Sequence, residues 1–237
     1  MQAWRAYIAF QWHHYFRTHR YLREIAAVVI FGIFFGGFLS DAHGGAGVWI
    51  LFSVFAIILS SMTAPSLFLL ERGTTLYFLI GKPHGRRRYF LSKIALIVLI
   101  DLGILLAFAL VYGLRFPSLS YFLLLPVRLA LVALILLQVT GLIALTMAYR
   151  PTWTWWIFVW IVFGGIVNKG GVLPIHGIAE GYKLLVFLLP PLQELTFLST
   201  SLEFDLIGWI WLGLALVQTG LFLGWGLRGF YRKDIVQ

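Results

Sequence analysis

One carboxylate stands well inside an apolar stretch: Asp101, within the run Ile94–Leu114. At the helical rise it lies about 10 Å past the start of that run, where an ionisable group is costly and functional by default. Gln138 and Gln218 fall at broadly similar depths in other apolar runs and offer amide hydrogen bonds to it. Two readings stay open, a structural polar clamp or a contact for substrate or ion. A lone acid is not a catalytic site, because acid–base work needs paired groups at matching depth. Other chemistries are missing by motif. There is no G-x-x-x-x-G-K-[ST] phosphate loop: Gly73 to Gly81-Lys82-Pro83 has the wrong spacing and a proline where the magnesium-binding hydroxyl belongs. No H-E-x-x-H and no G-x-S-x-G occurs. The absence of cysteine excludes disulfides, thiolate metal sites and cysteine nucleophiles. His13, His14 and His19 have neither metal-ligand spacing nor an accompanying acid. The expectation is therefore no catalytic, cofactor-binding or metal-binding residue in this chain.

The second place where residue types point to chemistry is Glu71–Lys93, E-R-G-T-T-L-Y-F-L-I-G-K-P-H-G-R-R-R-Y-F-L-S-K, a polar segment between two long apolar runs. Six basic residues, Arg72, Lys82, Arg86, Arg87, Arg88 and Lys93, stand against one acid, Glu71. Thr74 or Thr75 is placed to cap a short helix, Leu76–Ile80 supplies its apolar face, and Gly81–Gly85 breaks it. Leu76, Phe78 and Leu79 can pack on a partner, and the arginines can reach acidic groups or lipid phosphates. The plainer reading of Arg86–Arg88 is a topology signal.

These groups need a frame, and composition defines it. The chain is 61% apolar and 11% charged with a mean hydropathy of +0.92, which no soluble domain of this length sustains. The expected fold is an all-α integral membrane protein with six transmembrane helices in one domain spanning residues 1–237. The spans are read near Ile25–Leu39, Val48–Leu70, Ile94–Leu114, Leu129–Ala148, Trp153–Val167 and Leu206–Leu227. The first and fifth are short against the roughly 20 residues a crossing needs, so each extends into its flanks or is partly embedded. No small-residue cleavage site follows the basic Met1–Arg23 stretch, so no cleaved signal is expected.

Basic residues set the orientation. With the N-terminus inside, the cytoplasmic segments carry Arg5, Arg17, Arg20, Arg23, the six of Glu71–Lys93, Arg150, Arg228, Arg232 and Lys233. Only Arg115, Arg128, Lys169 and Lys183 fall on the other side. The positive-inside rule thus places both termini in the cytoplasm of a multi-pass inner-membrane protein. The same bias, facing anionic lipid, accounts for the formal charge of +9 without nucleic acid.

Two further elements are expected outside the spans. Trp4, Ile8, Trp12, Tyr15, Phe16 and Leu22 recur at helical steps within residues 1–23, the pattern of an amphipathic helix in the membrane interface. It reads either as a passive anchor or as an elbow that moves the first span. Residues 168–205 form a proline-broken extracytoplasmic insertion, with Pro174 and Pro190-Pro191, and read as a short helix, a helical hairpin or an inert loop.

The Glu71–Lys93 phrase resembles the loop after the second span of ABC type-two transporter permeases. Glu71, Arg72, Gly73-Thr74, the short apolar helix Leu76–Ile80, Pro83, Arg86 and Ser92-Lys93 stand at the positions of that pattern. The architecture resembles the family along the whole chain, whereas the Arg86–Arg88 run and P-P-L-Q-E-L depart from its usual form. The resemblance implies a permease subunit of an exporter, dimeric with a like or related subunit, served by separate ATP-binding-cassette ATPase subunits. ATP and magnesium would bind there, and Glu71–Lys93 would be the coupling element seated on the ATPase. It also favours the first and fifth spans at the dimer face, with Trp153, Trp155, Trp156 and Trp160 lining or anchoring it. Gly32-x-x-x-Gly36 and Gly220-x-x-x-Gly224 permit close helix approach, more often within a chain than between subunits. The aromatic, nearly uncharged interior leans towards hydrophobic, amphipathic or lipid-linked cargo. A non-transporting scaffold or an intramembrane enzyme are the competing classes.

Overall fold

Leucine, isoleucine, valine and phenylalanine runs with few charges bury their backbone polar groups in their own helices, and every regular element among the described residues of the computed structural model is a helix. These are 2–39, 47–69, 79, 81, 84–149, 151–167, 169, 183 and 186–232. Eight α-helices occur among them: α1 Gln2–Arg17, α2 Tyr21–Phe35, α3 Val48–Phe68, α4 Gly85–Arg115, α5 Leu119–Tyr149, α6 Thr154–Ile166, α7 Leu192–Ser201 and α8 Leu206–Arg232. Four of them, α3, α4, α5 and α8, are long and apolar enough to cross a membrane. The chain is thus an all-helical, multi-pass membrane protein.

The helix ends differ from the expected ones in an instructive way. α4 begins at Gly85, so Arg86–Lys93 are its first turns and not loop. His84 precedes it in the left-handed conformation, at φ 57°, where the chain turns into the helix. α5 begins at Leu119, well before Leu129. Hydropathy falls where these helices leave the apolar layer, yet their hydrogen bonding continues; 31 residues at the helical rise are about 46 Å, against roughly 30 Å of hydrocarbon. The short first and fifth runs remain short. α2 has 15 residues and continues as a 3-10 turn, Gly36–Leu39, while α6 has 13 and follows a 3-10 turn at Pro151–Trp153.

α5 is the axis of the bundle, packed by α3, α4, α7 and α8. Lipid tails are as apolar as leucine, so close contact and interhelical hydrogen bonds hold such helices together. The α3 face that meets α5 is accordingly small and polar. Ser60 Oγ lies 2.7 Å from Thr140 Oγ1 and donates to Leu136 O, with Ala56 and Ala64 fully buried beside it. α1 lies against α4, and α2 packs on α3.

The insertion before the last helix contains a short helix, α7. Pro190-Pro191 precede it and Leu192, Leu195 and Leu198 turn inward onto α3 and α5. Ser199 Oγ meets Ser53 Oγ of α3 at 3.2 Å, which places α7 at the end of the bundle where α3 begins.

Candidate functional site

At the opposite end, α3 and α8 finish and α4 starts, and basic residues gather there. Tyr89 near the start of α4 stacks on Phe230 near the end of α8, with ring centroids 5.6 Å apart. Arg86 donates to the backbone carbonyl of Tyr231. Arg87 is exposed and Arg88 half-buried. With Trp4, His84 and Leu91 these two arginines line a cavity of about 410 Å³ between the starts of α1 and α4.

Leu79 sits inside this junction. Its side chain is only 6% exposed, clustered with Tyr7 of α1 and Tyr89 of α4, and the Tyr7 hydroxyl donates to its carbonyl at 2.6 Å. Burial pushes the Tyr7 phenol up, against the opposing pull of the Arg88 cation, so the hydroxyl remains a donor. Leu79 therefore ties its segment to α1 and α4 within this chain instead of standing out from it. Lys93 is also turned inward: fully buried, it donates to Leu67 O at 2.6 Å, near the last turn of α3. Arg20, between α1 and α2, donates to Ser66 O at 2.9 Å and to its hydroxyl at 3.3 Å. Glu71, Arg72, Gly73, Thr74, Leu76, Phe78 and Pro83 lie outside the described residues.

The intramembrane polar residues divide into two groups. Asp101 is fully buried, and its Oδ1 accepts a hydrogen bond from Thr63 of α3 at 2.8 Å. Gln138 of α5 instead donates to Ala215 O at 3.3 Å and faces Gln218 Oε1 of α8 at 3.5 Å. Gln218 donates in turn to Phe187 O at 2.7 Å. Neither glutamine bonds to Asp101, contrary to the sequence expectation: similar depth put all three in one layer, but they face different helices. Thr63 was the missed partner, and a hydroxyl in a polar-poor run was the available signal.

α1 also carries a face that hydropathy did not reveal. Tyr7, Gln11 and Tyr15, spaced one turn apart, are buried against protein. Trp12 and Phe16 are exposed, their rings 4.9 Å apart, whereas Trp4 and Ile8 are half-buried. Glu24 of α2 is buried as well.

At the α7 end, Lys169 and Glu194 form a buried ion pair. The ammonium reaches Glu194 Oε2 at 3.3 Å and donates to Leu189 O and Pro190 O at 3.2 and 2.8 Å. The Lys169 backbone N–H donates to Glu194 Oε1 at 2.9 Å. Burial pulls the Lys169 ammonium down, and Glu194 opposes that pull. Beside the pair, Phe197, Glu203, Asp205 and Trp211 line a cavity of about 330 Å³.

Gly32, Gly36, Gly220 and Gly224 would each meet only open space if given a Cβ. Among the described residues, none serves close helix packing within the chain. Among the described residues, no group of three or more His, Cys, Asp or Glu is placed to hold a metal ion.

No family model, curated protein or solved structure matches the chain.

Proposed function

We propose that this chain is the permease subunit of an ATP-binding-cassette transporter, driven by separate ATPase subunits through the segment after α3. The observation that carries the reading is the junction around Leu79. A cytoplasmic element can pass a displacement into membrane helices only when it is firmly joined to them. Tyr7, Tyr89 and the start of α4 supply that joint, while Arg87 remains exposed beside it.

In this reading the Arg86 end of the bundle faces the cytoplasm and the α7 end faces outward. Arg20, Arg86–Arg88, Arg228 and Arg232 then lie inside, as the positive-inside rule requires. α2 and α6 complete six spans, aided by their flanking 3-10 turns. Their outward surfaces are strongly apolar: Ile33 and Phe34 on α2 and Trp155 and Trp156 on α6 are each at least 72% exposed. A second permease subunit, same or related, is the partner proposed for these faces, with lipid covering the remainder. The cargo class favoured is hydrophobic, amphipathic or lipid-linked, exported along an interior with few ionisable groups.

The test is reconstitution with the cognate ATPase. The chain purified alone should hydrolyse no ATP above background, and the assembled complex should hydrolyse it with stimulation by substrate. Robust hydrolysis by this polypeptide alone overturns the reading. A stable complex whose ATPase ignores every candidate substrate favours the scaffold alternative.

A further inference from the structure

Two carboxylates lie buried together without a cation. Glu24 is 4% exposed and Asp101 0%, and the Glu24 charge is near enough to act on Asp101. Asp101 Oδ2 has no hydrogen-bond partner and Oδ1 accepts from Thr63, while the Tyr15 phenol is the one group placed to bond Glu24. Tyr15 of α1 is buried beside Glu24. Burial first, and then the Glu24 and Asp101 charges, push its phenol up, so it offers a proton and carries no compensating charge. One turn earlier on the same face, Gln11 is fully buried with both amide atoms lacking partners.

The basic groups from neighbouring elements point elsewhere. Arg20 donates to Ser66, Lys93 donates to Leu67 O, and Arg23 is exposed. Among the described residues no ion pair is made by Glu24 or Asp101. An uncompensated carboxylate in such a place costs far more than a bundle of this size tolerates, so positive charge must arrive from outside the chain.

We propose that Glu24 and Asp101 form a binding site for a small monovalent cation, a proton or a sodium ion, bounded by Gln11, Tyr15 and Thr63. The chemistry is hard and oxygen-based: carboxylate, hydroxyl and amide oxygens, with no imidazole or sulfur. One monovalent ion meets one charge, so with sodium bound the second carboxyl keeps a proton and the site is neutral. The residues come from α1, α2, α3 and α4. Occupancy therefore fastens the α1–α2 elbow to the bundle, and release loosens it. This site stands independently of the transporter reading.

The experiment uses the full chain in detergent and follows thermal unfolding with choline or sodium at fixed ionic strength, each in acidic and alkaline buffer. The wild type should gain about 3 °C or more in Tm on supplying the cation it binds. A gain on acidification with sodium silent identifies the proton, and a gain on replacing choline by sodium at alkaline pH identifies sodium. Glu24→Gln/Asp101→Asn, with neutral isosteres, should lose the sodium response and keep only the pH response that the Lys169–Glu194 pair supplies, and Glu203→Gln should respond like wild type. Equal wild-type Tm in all conditions overturns the site, as does an undiminished response in the double variant. Should that variant fail to fold, infrared spectra of the wild type decide. A solvent-shielded protonated carboxyl band, removed by alkali or displaced by sodium, supports the site, and absence of the band with no sodium response overturns it.

Discussion

Glu194 and the Glu24–Asp101 pair are buried acids with opposite company. Glu194 has its cation: both oxygens accept from Lys169, whose ammonium also holds the carbonyls of Leu189 and Pro190. Glu24 and Asp101 have hydroxyls for company, those of Tyr15 and Thr63, and no cation among the described residues. A closed network of the first kind fixes geometry, here the approach of α7 to the end of α6. An open one of the second kind is tolerable only if its charge is met by something that comes and goes. Burial alone is thus no guide to role; the count of satisfied atoms is.

The strongest way to break this comparison is to neutralise Glu194. Glu194→Gln leaves the Lys169 ammonium buried without its counter-charge, and a loss of about 3–5 kcal/mol is expected in thermal or denaturant unfolding. Lys169→Met/Glu194→Met should recover much of that loss. A Glu194→Gln protein as stable as wild type would mean the pair is not closed. Gly164→Ala tests the same corner sterically. Its Cβ would lie 2.6 Å from both Cγ and O of Pro190, so roughly 1–3 kcal/mol should be lost, read by the same unfolding assay.

Tyr7→Phe removes one buried hydrogen bond at the other end and should cost about 1 kcal/mol. Under the proposed function it should also lower substrate-stimulated ATP hydrolysis at unchanged expression. The smallest effect is expected from Asp101→Asn. The amide oxygen can still accept from Thr63 while the unmatched charge disappears, so in choline at alkaline pH, where the site is empty, stability should stay within about 0.5 kcal/mol of wild type or rise. The same chemical change, acid to amide, is thus predicted to be severe at Glu194 and mild or favourable at Asp101. Equal penalties at both positions would erase the distinction.

The apolar runs were legible because lipid exposure demands them; their ends were not. Arg86–Lys93 read as loop because they are charged, yet once the chain has turned at His84 the helix continues through polar residues as readily as apolar ones. The intramembrane acid was legible at Asp101 and its company was not. Depth along a helix is readable from the sequence, but the direction a residue faces depends on which neighbour packs there. The α1 stripe of Trp4, Ile8, Trp12, Tyr15, Phe16 and Leu22 was visible as aromatic periodicity. The buried face that Tyr7 and Gln11 share with Tyr15 was hidden, since a glutamine in an interfacial helix looks like solvent-facing polarity. Lys169 and Glu194 are 25 positions apart and separated by prolines and glycines, so nothing local joins them.

Under the proposed function, the segment after α3 is where a separate ATPase docks. Photo-crosslinking in intact membranes probes that contact, with a photoreactive residue at Thr74 or Arg87 and, as the opposite-end control, at Phe197. An adduct containing an ATP-binding-cassette subunit is expected from Thr74 or Arg87 and none from Phe197. No ATPase adduct from Thr74 and Arg87, at expression equal to wild type, would contradict that proposal.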